Sequence, residues 1–361
     1  MTMIETIRSL VAYVIVLGIL VFFHELGHYL AARARGVTVE AFSIGFGPAL
    51  LSWRAKSGTV WKLSVLPLGG YVKMQGWGEA QDAPKLPGSF AATSLGSKAL
   101  IVAAGPIANL ILAFFLFAGL FAINGRIVVE PVISQVFPGS AAAIGGLLPG
   151  DRIINIGGHQ IRHFDDMVDI IAMHPDTEMV FRFKRGTQME TKQITVGHKD
   201  LNGDEIGSLG IEGDQVSSQH FSPAGAVAAA AAETWTDTSN TLDGLYNLIV
   251  HQQGLHNLAG PLGIAQITGK VATFGLPSLV NLLALLSINL GLVNLVPIPI
   301  LDGGHLLFYG AEAIYGRPIP KRALDVGLRF GFAVIVSLFV FTTFNDLTRL
   351  GAVHWVAHLF G

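Results

Sequence analysis

The stretch 9–32 is apolar enough to lie in a bilayer, yet the run FFHELGHYLAARARG at 22–36 places His24, Glu25 and His28 inside it. This restricts the fold more than any other feature, because ionisable groups in hydrocarbon are costly and must face the protein interior or a water-filled cavity. On a helix, His24 and His28 are one turn apart on the same face, so both imidazoles reach one ion while Glu25 projects close to its open side. That is the ligand pattern of a zinc hydrolase; the alternative is a polar cluster that caps a helix or lines a cavity. Arg8 ahead of the apolar run, with Ala31, Ala32 and Ala34 after it, also resembles a secretory signal peptide. A signal core does not carry His-Glu-x-x-His, so the segment is read as a retained span.

Three further stretches, 99–123, 271–301 and about 326–345, are long and apolar enough to span, although Arg329 in the last must snorkel to an interface. A mean hydropathy of +0.54 with 13% charged residues fits a membrane protein. There is no cysteine, so a metal must be held by His, Asp, Glu or carbonyl oxygen, and a net charge of −2 gives no sign of nucleic-acid binding. Eight Lys and Arg fall in 33–98 and four in 302–329, against one in each tail, Arg8 and Arg349. With four spans, both basic segments face the cytoplasm, and the termini and 124–270 lie outside it.

A two-histidine site needs a third protein ligand and leaves the fourth position to water. Asp302 ends the third apolar stretch, which has no other charge from Val271 onward. His24 lies roughly 22 Å into the first span of a bilayer about 30 Å thick, so it and Asp302 both approach the cytoplasmic side. His305, at helical spacing from Asp302, is a competing ligand and is read as an interfacial histidine. Pro297 and Pro299 break the helix before Asp302 and free backbone groups that an extended substrate can pair with. Asn294 would hold such a strand with its amide, or else bond a neighbouring helix.

The expected fold is an α-helical polytopic membrane protein of about four transmembrane helices, with a membrane-associated β-hairpin and one extracytoplasmic PDZ-like α+β domain. Its order is 1–36, first helix; 37–74, hairpin carrying Trp53, Trp61 and Tyr71; 75–98, cytoplasmic loop; 99–123, second helix; 126–198, PDZ-like domain. Then come 199–270, a polar linker and an amphipathic helix begun by Ser222 and Pro223; 271–309, third transmembrane segment; and 326–345, fourth helix. The domain reading rests on GLLPGDRIINIGG, which is similar to a strand-and-turn segment of bacterial PDZ domains, modules that bind extended peptide ends along a sheet edge.

HELGH, FSIGFGPAL, PLGGYVKM, AGPIANLILA, GDRIINIGG, AGPLGIAQITG and NLVPIPILDGGH, in that order over nearly the whole chain, together resemble the bacterial site-2 protease family. The resemblance implies an intramembrane zinc protease of the bacterial inner membrane, with metal ligands His24, His28 and Asp302 and with Glu25 as catalytic acid/base. It further implies that Asn294 handles the substrate and that 37–74 presents it as a strand. The implied substrates are transmembrane segments cut in regulated intramembrane proteolysis, such as anti-sigma factors in an envelope stress response or remnant signal peptides. The better-known members carry two tandem PDZ domains and this chain one, with a peptide as that domain's implied ligand. Two rival readings remain at this point: a metal-ion transporter lined by the same residues, and a membrane-tethered PDZ adaptor with a dead site.

Overall fold

The first helix, α1 (Met3–Ala34), is apolar along most of its length and ends where Gly36 takes a φ of 75°, with the Val37 amide turning back to the Ala32 carbonyl. The computed structural model describes residues 3–77, 86–201, 204–251 and 258–349, so part of the expected 75–98 loop lies outside the described residues. After α1 the chain forms a long antiparallel hairpin, β1 (Val39–Arg54) and β2 (Val60–Met74), with Val39 opposite Met74 and Arg54 opposite Val60, and it folds back on itself, so that Ala41 to Ile44 also pair with Val60 to Leu63. The folded hairpin rests on α1 through Tyr29, which touches Phe42 and Trp61, themselves stacked at 4.2 Å. Elsewhere on the hairpin Phe46, Leu50, Leu51, Trp53, Val65 and Leu66 are exposed and form an apolar surface.

Next come α2 (Leu95–Asn124), with Pro106 inside it, and the strands and helices of a separate compact unit, Phe121–Ala226. In chain order these are β3 (Arg126–Val129), β4 (Gln135–Val136), α3 (Ala141–Ile144), β5 (Arg152–Ile156), β6 (His159–Gln160) and α4 (Phe164–Ala172). They continue as β7 (Glu178–Arg185), β8 (Gln188–Thr195), β9 (Gly197–Leu201), β10 (Asp204–Ser208), β11 (Ile211–Glu212) and β12 (Val216–Gln219). A four-stranded sheet in the order β6-β5-β7-β8 buries Ile153, Ile156, Phe181, Phe183 and Ile194 against Leu147 and Met167. Burial alternates along β7, as a sheet with one face in the core requires. Asp151 of the Gly-Asp turn is buried and takes both Nε and Nη2 of Arg185, at 2.7 and 2.6 Å. Arg152 pairs with Glu130 and holds that carboxyl below its ordinary pKa.

Here the structure departs from the expected boundaries. Residues 199–219 do not form a linker: β11 pairs with β4 and β12 with β3, so the unit closes on itself well beyond 198. These strands are two and four residues long, too short and polar to show a two-residue period.

The helix α5 (Pro223–Tyr246) begins where Ser222 Oγ accepts the Gly225 amide, and α6 (Pro261–Val271), α7 (Leu276–Leu295), α8 (Asp302–Tyr315) and α9 (Lys321–Arg349) follow. The expected segment 271–309 is not one helix. Val271 ends α6, α7 stops before Pro297, and α8 starts afresh at Asp302. Between them, Leu301 N donates to the Ile298 carbonyl across a turn with Pro299 second and Ile300, at φ 100°, third. Glycine is the residue that position favours, so a β-branched side chain there is strained. Gly331 of α9 lies directly on the Pro299 carbonyl, and Asp346 of the same helix accepts the Gly260 and Gly263 amides at 3.0 and 2.8 Å. Among the described residues four helices are long and apolar enough to cross a membrane: Glu5–Ala34, Leu95–Asn124, Leu276–Leu295 and Lys321–Thr348.

Candidate metal centre

Three side chains converge from elements far apart in sequence. His24 and His28 leave one face of α1 and are 9% and 8% exposed, and Asp302 is the first residue of α8. Asp302 Oδ2 lies 3.1 Å from His24 Nε2 and 3.4 Å from His28 Nε2, and the two Nε2 atoms are 3.2 Å apart. Four ligands in tetrahedral array about zinc, at bonds of roughly 2.0–2.1 Å, stand about 3.3 Å from one another. The triangle matches that spacing on all three edges. Asp302 Oδ2 is buried and receives no hydrogen bond among the described residues, which is costly for a carboxylate without a cation and ordinary for one that binds a metal. Gly303 and Gly304 let α8 start there, since a Cβ on Gly303 would collide with the Leu295 and Val296 backbone at the end of α7 and one on Gly304 with the Ile298 and Pro299 backbone of the turn.

The remaining expected site residues lie outside the triangle. Glu25 follows His24 on α1 and has no hydrogen-bond partner among the described residues; β2 crosses close above it, where a Cβ on Gly70 would come 3.0 Å from its Cγ. Asn294 sits in the last turn of α7, half-buried and without a side-chain hydrogen bond among the described residues. Pro297 and Pro299 do end α7, but the freed backbone is largely spent within the turn, and the Pro299 carbonyl is covered by Gly331. His305 is not in the triangle: its ring packs edge-on to Trp77 at 5.6 Å and against Tyr309.

Sequence reasoning missed what α2 supplies. His28 Nδ1 donates to the Ile101 carbonyl at 2.9 Å, on the stretch of α2 just before Pro106. Gly105 lies flat against the His28 ring, Gly27 of α1 against Ala104, and the Asn109 amide is 3.3 Å from His24 Nδ1. An amide in the middle of an otherwise apolar helix was the signal available for Asn109.

The family model described as Peptidase family M50 matches residues 12–338. The chain belongs to that family, the site-2 proteases. It is 40% identical over 358 residues to a protein of Rhizobium meliloti named as a zinc metalloprotease, covering 94% of this chain and 96% of that one. It is 31% identical over 423 residues to the zinc metalloprotease RasP of Geobacillus kaustophilus, covering 96% and 99%. Among solved structures, the PDZ domain of an SdrC-like protein from Listeria monocytogenes aligns with 23% of this chain and 84% of its own, at 23% identity and a TM-score of 0.21. The M50 peptidase is thus a membrane-protein zinc metalloprotease, and its donor set of two imidazoles and a carboxylate suits that metal.

Proposed function

We propose that this M50 peptidase hydrolyses a peptide bond within the transmembrane segment of a substrate protein, with His24, His28 and Asp302 holding zinc and Glu25 as general base and acid. The observation that carries the reading is the donor triangle of 3.1 to 3.4 Å edges, built partly on a helix apolar enough to span a bilayer. Zinc bound there would supply a Lewis acid for the scissile carbonyl and lower the pKa of its water. Glu25 takes the proton of the attacking water as its oxygen adds to the carbonyl carbon. It then returns that proton to the amide nitrogen as the C–N bond breaks, leaving a new carboxyl and a new amine. A substrate helix must unwind first, because its amides are bonded internally; pairing with the β1-β2 hairpin, and with the Asn294 amide beside the Pro297 and Pro299 break, offsets that cost.

The same reading places the active site near the cytoplasmic side of a bacterial inner membrane, with the termini and the unit 121–226 outside, on the distribution of Lys and Arg. It takes as substrates segments cut in regulated intramembrane proteolysis, anti-sigma factors or remnant signal peptides among them, and a peptide end as ligand of the 121–226 unit. The test is Glu25→Gln in the full chain: zinc content should equal that of the unchanged protein while cleavage of a transmembrane substrate falls by orders of magnitude. Near-normal cleavage by the variant, or cleavage that persists after complete zinc removal by a chelator, would refute the mechanism. A metal-ion transporter would lose zinc flux and show no cleavage in the unchanged protein.

A further inference from the structure

The two imidazoles of the triangle differ in what holds their outer nitrogens. For His28 the partner is the Ile101 carbonyl, which only accepts, so Nδ1 carries the proton and Nε2 keeps its lone pair for the triangle. For His24 the partner is the side-chain amide of Asn109, a residue with 0% exposure. An amide acts in either sense. With its NH2 toward Nδ1, the His24 proton is forced onto Nε2, into the space the three donors share. With its oxygen toward Nδ1, Nδ1–H donates to it and the Nε2 lone pair is free. In the structure the NH2 faces Nδ1 at 3.3 Å and the amide oxygen is buried without a hydrogen bond among the described residues; a half-turn of the amide interchanges the two groups.

The amide is held at this place from the far side. The Asn109 carbonyl accepts Ser287 Oγ of α7 at 2.7 Å, and α7 presses close through Gly291, where a Cβ would come 2.9 Å from the Pro106 carbonyl and 3.4 Å from Asn109 Cβ. None of these anchors uses the amide group itself. Among the described residues its one polar contact is the His24 ring, so packing does not account for an amide where leucine of similar size would fit the apolar surroundings.

We propose that Asn109 is a positioning residue for the metal: its amide oxygen accepts His24 Nδ1–H, and so selects the tautomer and ring orientation in which Nε2 binds zinc. This rests on the reading of His24 as a zinc ligand. Outer partners of ligating histidines commonly set metal affinity by 10- to 100-fold.

The experiment measures zinc affinity by chelator competition on the purified full-length chain in detergent, together with the visible spectrum of the cobalt-substituted protein. Asn109→Leu keeps the volume and removes the acceptor, and is expected to weaken zinc binding about 10- to 100-fold and to alter the cobalt bands. Asn109→Ala, which adds no bulk, should do the same if the leucine variant does not fold. Asn109→Asp, whose carboxylate only accepts, should match or exceed the unchanged protein. Ser287→Ala removes the α7 anchor without touching His24 and should leave affinity unchanged. Leucine and alanine variants within twofold of the unchanged protein, or an aspartate variant no better than alanine, would overturn the proposal alone. Absence of zinc binding by the unchanged protein would overturn it together with the metalloprotease reading beneath it.

Discussion

Replacing Gly105 by alanine puts a methyl group 2.5 Å from His28 Cε1 and 2.9 Å from its Cδ2, where an ordinary contact is about 3.5 Å. The ring must give way by roughly 1 Å, or α2 must back away from α1 by as much. The second route gives up the close packing at Gly27, where a Cβ would come 2.7 Å from Ala108 Cβ because the two helices touch backbone to backbone. Moving the ring is then the smaller change, and because Nδ1 is tied to the Ile101 carbonyl one turn before Gly105 on the same helix, the movement breaks that hydrogen bond or takes Nε2 out of the triangle. A displacement of this size at a reacting centre costs on the order of 100-fold, equivalent to about 2.7 kcal/mol. Gly105→Ala is expected to weaken zinc binding by roughly that factor and to lower cleavage in parallel. Gly119→Ala, on the same helix with nothing within 4 Å of its Cβ, provides the comparison and should be neutral or slightly stabilising. The assays are zinc affinity by chelator competition and cleavage of a transmembrane substrate at saturating zinc. Equal zinc affinity in the two variants would show that the close approach of α2 to His28 does not position the ligand.

Asp302→Asn should lower zinc affinity and cleavage together, whereas His305→Ala should leave zinc content intact, because its ring packs on Trp77 outside the triangle; a reversed outcome in zinc analysis would move the third ligand three residues along the chain. Ile300→Gly relieves about 1–3 kcal/mol of turn strain at φ 100° against roughly 0.5–1 kcal/mol of added chain entropy, so thermal unfolding should shift upward with zinc content unchanged. A lowered Tm would show that the side chain contributes more than its strain costs. If the 121–226 unit excludes substrates with bulky external domains, deleting 126–219 should permit cleavage of an untrimmed substrate; if it tethers them, the deletion should slow cleavage of a trimmed one. The deletion must extend to Gln219, because stopping at 198 would leave β11 and β12 without their partners.

What the sequence determined by itself is what depends on near neighbours in the chain. Long apolar runs mark helices that can span, the four-residue interval puts His24 and His28 on one face, and two prolines stop a helix before Asp302. Asp302 could be singled out across nearly three hundred residues because a charge that closes an uncharged stretch has few roles open to it. The tertiary structure decided everything that one helix offers another. The Ile101 carbonyl, the bare surface of Gly105 and the Asn109 amide carry no signature of their target, since a backbone oxygen, a missing side chain and a lone amide read alike wherever they point. The same holds for β11 and β12: a strand of two to four residues has too little pattern to declare itself, and its pairing with β4 and β3 is fixed by closure of the unit. Local periodicity is written residue by residue, whereas the partner across a gap is chosen by packing, and only the folded chain brings the two together.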